Sequence, residues 1–206
     1  MRKTLATVFL MFVMASSTAI GQDKADLSGM AGYAFGASVD VFSGKMKVED
    51  GATYSATLGF KPQRNSQVEL NWTYHPTDLR YTPFTGPIEK IGLDVHYFQI
   101  GGIQEFPSGQ AEPFVKFSLG ATYFDPASGT LNEVNISSEW RFSFMFGLGA
   151  KYFFSPKVGL RLQGDLIGTF LSSSGGAFCG FGGCTLGLFG YGMFSGDLLA
   201  GLTIAI

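Results

Sequence analysis

From Trp140 onward every second residue is large and apolar: Trp140, Phe142, Phe144, Phe146, Leu148, Ala150, Tyr152 and Phe154 alternate with Arg141, Ser143, Met145, Gly147, Gly149, Lys151 and Phe153. A period of two sends successive side chains to opposite faces of an extended strand. Soluble strands average about five or six residues, whereas this one is long enough to cross a membrane. The same two-faced pattern recurs in seven other segments. Together they predict an all-β fold, a single eight-stranded antiparallel up-and-down transmembrane β-barrel.

Strand one sets Tyr33, Phe35, Ala37, Val39 and Val41 against Gly32, Ala34, Gly36, Ser38 and Asp40. Strand two sets Tyr54, Ala56, Leu58 and Phe60 against Thr53, Ser55, Thr57 and Lys61. In strand three Val68, Leu70, Trp72 and Tyr74 oppose Glu69, Asn71, Thr73 and His75, the cleanest short alternation in the chain. Strand four, with Ile91, Leu93, Val95 and Tyr97 opposite Gly92, Asp94 and His96, slips in phase near 99–102, where Gly101 and Gly102 would permit a bulge. Strand five sets Val115, Phe117, Leu119, Ala121 and Tyr123 against Lys116, Ser118, Gly120 and Thr122, and the run from Trp140 is strand six. Strand seven carries Leu160, Leu162 and Leu166 against Arg161, Gln163 and Asp165, and strand eight Phe194, Leu198, Leu202 and Ile204 against Ser195, Asp197 and Thr203.

Short turns at 63–66, 107–110 and 155–156 alternate with long segments at 75–89, 125–138 and 172–190, the pattern of an outer-membrane barrel with both termini on the periplasmic side. Residues 1–21 read as a signal peptide: Arg2 and Lys3 precede an apolar run from Leu5 to Met14, and small residues stand before a cut at Gln22. That leaves 22–206 as one barrel domain. Without the leader, 12 basic side chains face 16 acidic ones, so no basic footprint for nucleic acid exists.

The run from Gly147 to Leu162, the Gly101-Gly102 pair and the ending Ala200-Gly-Leu-Thr-Ile-Ala-Ile206 resemble the small outer-membrane barrels of the outer-membrane protein A and X type. The resemblance covers essentially the whole mature chain. It implies bacterial outer-membrane localisation, outer-membrane lipid as surroundings, and the barrel assembly machinery as a partner in biogenesis. Such barrels commonly finish on an aromatic residue, and this chain finishes on Ile206. The same resemblance bears on enzymatic activity. Outer-membrane lipid A deacylases pair a His with a Ser two residues on, but Phe98 follows His96 and Thr77 follows His75 at that spacing.

On the expected inward face Lys61, Lys116, Arg141, Lys151 and Arg161 balance Asp40, Glu69, Asp94, Asp165 and Asp197. Unpaired charge in a narrow lumen is costly, so the balance predicts a cross-barrel ion-pair network that plugs the interior. The phase of strands three and four puts His75 and His96 together on that face with Asp94, a group able to bind metal or act as a base. Hydrogen-bonded lumen residues are the plainer reading, and no catalytic residue, metal or cofactor is assigned. Cys179 and Cys184, with four residues between them in a glycine-rich outer loop of an exported chain, are expected to form a disulfide. The resulting expectation is a structural or surface-interaction barrel, not an enzyme, acting through its outer loops on an unknown surface partner. A small-solute or hydrophobic-molecule channel and a soluble lipocalin-like ligand-binding barrel are the alternatives, because alternation alone does not say which face is out, and an enzyme acting on envelope lipids around His75 and His96 comes last.

Overall fold

A computed structural model describes residues 25–41, 44–63, 65–127, 130–131, 134–135, 137–170, 177–180, 183–186 and 192–206. The leader expected over 1–21 lies outside them. Eight long strands make the wall: β1 (Ala25–Phe35), β2 (Gly51–Gln63), β3 (Ser66–Pro83), β4 (Glu89–Glu105), β5 (Ala111–Pro126), β6 (Glu139–Phe153), β7 (Val158–Phe170) and β8 (Gly192–Ala205). Each pairs antiparallel with its neighbours in the chain, and β8 returns to β1 from Asp26 opposite Ala205 to Phe35 opposite Gly196. The sheet is therefore closed, so the wall has no free edge and its ladders pair backbone with backbone around the barrel, apart from an irregularity between Phe60 and Gln63. Strand lengths run from 11 to 18 residues, enough for a tilted span.

The greasy faces point out. Leu148 and Leu162 are each 60% exposed, in a band that includes Phe117, Phe142, Leu160 and Leu198, while Lys151 and Arg161 are wholly buried inside. A continuous apolar exterior around a polar lumen is stable in lipid and not in water, which removes the soluble ligand-binding barrel. The short turns share one rim with Ala25 and Ile206, where Ile206 donates its backbone N–H to the Ala25 carbonyl at 2.8 Å.

Three readings of the wall change. β1 begins at Ala25, because Gly29 and Ala31 occupy outward positions and hide the alternation there. Past Phe35 the phase breaks, so Ala37 is buried inside, and Ser38–Val41 turns back through Gly44–Val48 to pair with the Leu79–Pro83 end of β3. The segment expected to be a long loop at 75–89 is instead a tall hairpin of β3 and β4, closed near Gly86, whose φ of 124° suits glycine. Its outward face carries Asp78, Arg80 and Thr82. Above the bilayer that face meets water, so no greasy alternation marks it in the sequence. In β4 the phase never slips: Leu93, Val95, Tyr97, Gln99, Ile103 and Glu105 all face inward.

The lumen has two levels. Toward the loop end Ala37, Val48, Leu93, Val95, Tyr97, Met145, Ile167 and Met193 form an apolar core, with Leu79 and Phe124 against it. Toward the turn end the filling is polar and charged. Gly147 lets the two walls of that lower level approach: a Cβ there would lie 2.2 Å from Asp165 Oδ1 and 2.6 Å from Lys116 Cε.

Candidate functional site

The charged level holds two ionic clusters, one around Lys151 and one around Arg161, with the Phe114 ring near both cations. Lys151 Nζ donates to Asp26 Oδ2 at 2.6 Å, Gln67 Oε1 at 2.8 Å and Glu105 Oε1 at 2.8 Å. Arg161 grips Glu69 with two nitrogens, at 2.5 and 3.1 Å, and donates to Thr57 and Gln163 at 3.1 and 2.7 Å. Lys116 meets Asp165 at 3.0 Å, and the Phe114 ring packs under the Arg161 guanidinium, 4.9 Å from its centroid. Asp197 is buried opposite Asp165 on the neighbouring strand, and its Oδ2 has no hydrogen-bond partner among the described residues. Lys61 sits at the turn rim with Glu105 and Glu112, and Arg141 at the loop rim with Glu139.

Asp26, Gln67 and Glu105 were missed in the sequence. Asp26 precedes the expected start of strand one, and Glu105 lies past the supposed phase slip, although the odd-numbered inward positions of β4 run straight to it. Asp94 was placed inside and faces out. The side chains of Asp40, Cys179 and Cys184 lie outside the described residues, although the backbone sets Cys179 directly opposite Cys184.

The two histidines do not meet. His75 is buried inside with Nδ1 2.9 Å from the Ala52 carbonyl and Nε2 3.2 Å from that of Glu49, while Thr77 Oγ1 donates to the Glu49 carbonyl at 2.7 Å. Both ring nitrogens are engaged with backbone, so His75 pins the start of β2 to β3. His96 lies opposite Tyr74, one strand position from the His75 and Val95 pair, and one position is enough to put it on the other face.

Outside, His96 sits in a belt of aromatic rings. Its ring stacks on Tyr74 with centroids 4.9 Å apart, and on Trp72, Phe98 and Tyr123 at 6.2, 6.3 and 6.2 Å; Tyr123 continues the belt to Trp140 at 4.7 Å. Such rings mark the boundary between acyl chains and head groups on the loop side. Trp72 Nε1 donates to His96 Nδ1 at 3.4 Å. An indole N–H only donates, so the neutral imidazole carries its proton on Nε2. Two positions before His96 on the same face, Asp94 accepts the Tyr74 hydroxyl at 3.0 Å through Oδ1. The belt thus holds an N–H donor and a carboxylate side by side on the lipid-facing surface.

Hydroxyl groups are placed otherwise than the His-x-Ser spacing requires. Phe98 occupies the position two beyond His96, on the same outward face. Ser138 donates to Asp125 at 2.9 Å, and strand spacing puts it two strands from His96, on the order of 10 Å away.

Residues 50–163, from the start of β2 into β7, match the family model described as lipid A 3-O-deacylase (PagL). Among solved structures, Neisserial surface protein A (NspA) is similar with a TM-score of 0.57 and 13% identity, over 88% of this chain and 97% of that one. The N-terminal β-barrel domain of Pseudomonas aeruginosa OprF follows at 0.48 and 12% identity, over 89% of this chain and 99% of that one. Ail of Yersinia pestis aligns at 0.41 and 13% identity, over 88% and 98%. The likeness to NspA bears on the fold alone, and the other two add nothing to it. No curated protein matches the sequence. The family match overturns the expectation of a barrel without enzymatic activity. It spans more than half of the sequence: the chain belongs to the lipid A 3-O-deacylase (PagL) family.

Proposed function

We propose that this protein hydrolyses an acyl ester of lipid A in the outer leaflet, at the lipid-facing belt around His96. One observation carries the reading: in a barrel of a lipid A deacylase family, a histidine and a carboxylate stand together on the outward face at head-group depth. An ester substrate reaches that face by lateral diffusion, without entering the lumen. Asp94 takes a proton from water as the water oxygen attacks the ester carbonyl, and the His96 Nε2–H donates to the oxyanion that forms. Collapse breaks the bond to the sugar oxygen, which recovers a proton, and a free fatty acid leaves. Water takes the place of the serine nucleophile, since Phe98 stands at that position. The purified, folded barrel incubated with lipid A in detergent should release a 3-hydroxy fatty acid, read by gas chromatography; folded protein that releases none contradicts the proposal.

The lumen takes no part in this chemistry. Apolar and ionic side chains fill its two levels among the described residues, so the barrel in a planar bilayer should give no steady single-channel steps. Reproducible steps would favour the channel reading instead. The outer hairpin of Ala177–Gly180 and Gly183–Leu186 places Cys179 against Cys184, a register that brings Cα atoms within disulfide range. Protein isolated from the envelope should take up no thiol alkylating reagent until reduced, and then two equivalents; uptake before reduction would show free thiols. Outer-membrane lipid and the assembly machinery remain the partners we assign.

A further inference from the structure

Above the aromatic belt, the register of the tall hairpin puts cations in a row. Lys47 lies opposite Arg80, and Arg80 opposite Lys90, with Lys45 one rung higher opposite Thr82. Their neighbours Val48, Leu79 and Tyr81 face inward, so the alternation sends Lys45, Lys47, Arg80 and Lys90 outward, on the same face of β3 and β4 as Tyr74 and His96. Glu49 ties Arg80 and reaches Lys90 at 3.7 Å, and Asp50 lies 3.8 Å from Lys47. Those contacts hold the row together without burying it: the Lys47 and Lys90 side chains are 41% and 50% exposed, and Lys45 is exposed with no ion pair among the described residues.

We infer that this face binds the phosphorylated sugar head group of lipid A, with Lys45, Lys47 and Lys90 reaching its phosphates while His96 meets the ester below. The inference rests on the deacylase reading for its substrate and on charge and height for its place. Lys90 stands six residues above His96 in β4. That is about 20 Å along the strand at ~3.3 Å per residue, or about 15 Å along the membrane normal for a strand tilted ~40°. Long lysine side chains can bend down from there to the head-group layer. An anionic glycolipid held by its phosphates would be fixed in height, presenting its acyl esters to the belt in one register. Lipid lacking phosphates would slide.

The test uses the full folded protein in detergent and reads binding by the fluorescence of Trp72 and Trp140, which line the belt. Bisphosphorylated lipid A should bind at least tenfold tighter than the same lipid stripped of both phosphates. In Lys47→Ala/Lys90→Ala that preference should fall to about one, with binding of the stripped lipid unchanged. Two cations near an anionic surface carry roughly a 30-fold effect. The wild-type preference should also shrink as salt rises, a readout that needs no substitution. Retained preference in the variant, a preference indifferent to salt, or inorganic pyrophosphate binding as tightly as the lipid would each overturn the inference. Binding is read without turnover. A protein that discriminates between the lipids yet hydrolyses neither fells the deacylase reading alone, and one that hydrolyses both without discrimination fells the head-group site alone.

Discussion

His96→Ala should lower lipid A deacylation about 100- to 1,000-fold, the loss typical of one preorganised oxyanion donor. The reason lies in the tautomer. Trp72 donates to Nδ1, which leaves Nε2 to carry the N–H. His96→Gln keeps an N–H and should retain more rate than the alanine variant, a ranking that a general base would not produce, since glutamine cannot accept the water proton. Asp94→Asn should fall about 100- to 10,000-fold, as expected for loss of the base, while still accepting the Tyr74 hydroxyl through its amide oxygen. Release of hydroxy fatty acid by purified, heat-modifiable protein measures all three. Wild-type rates in His96→Ala would move the chemistry away from the belt.

Lys151→Met should cost about 3–5 kcal/mol of stability, the usual penalty for removing one partner of a buried ionic cluster. Lys151 is wholly buried and supplies three hydrogen bonds, two of them to carboxylates. Without it Asp26 loses its ion-pair partner and Glu105 keeps only Lys61. Lys61 still reaches Glu105 at 3.0 Å but makes no contact with Asp26. The comparison variant is Lys61→Met. Lys61 is partly exposed at the rim, where it pairs with the part-exposed Glu112 and the buried Glu105; Glu105 keeps Lys151 when Lys61 is lost, so the cost should be about 1 kcal/mol or less. Urea unfolding in micelles, followed by the gel shift between folded and boiled forms, reads both. Equal midpoints for the two variants would mean that the lower lumen is hydrated rather than closed.

Much of the wall was legible because lipid imposes one rule on every outward residue that touches it. From Trp140 to Phe154 the rule holds without exception, and the strand was read with its faces correct. The same rule misled in β4. Alternation tells which residues share a face, not which face is out, and Leu93, Val95 and Tyr97 are apolar because they build the upper core of the lumen. Equating greasy with outward reversed that strand, and the reversal carried Asp94 and His96 inside. One reversed strand thus hid the candidate site: His75 and His96 were expected together, and the wall stands between them. Above the bilayer the rule has no force, so Asp78, Arg80 and Thr82 read as loop although their strand pairs with β4 as far as Tyr81 and with Gly44–Val48 from Leu79 onward. The activity was less legible still. The His-x-Ser spacing is met at neither histidine, and membership of the deacylase family emerged from similarity spread over residues 50–163 rather than from any one motif.

Mass spectrometry of lipid A from cells making the wild-type protein, set beside cells making His96→Ala at equal outer-membrane levels, is the most direct measurement. Wild-type cells should yield lipid A lighter by one 3-hydroxyacyl group, and His96→Ala cells should yield lipid A of unchanged mass. Identical lipid A from both, with both proteins folded in the outer membrane, would contradict deacylation at the lipid-facing belt.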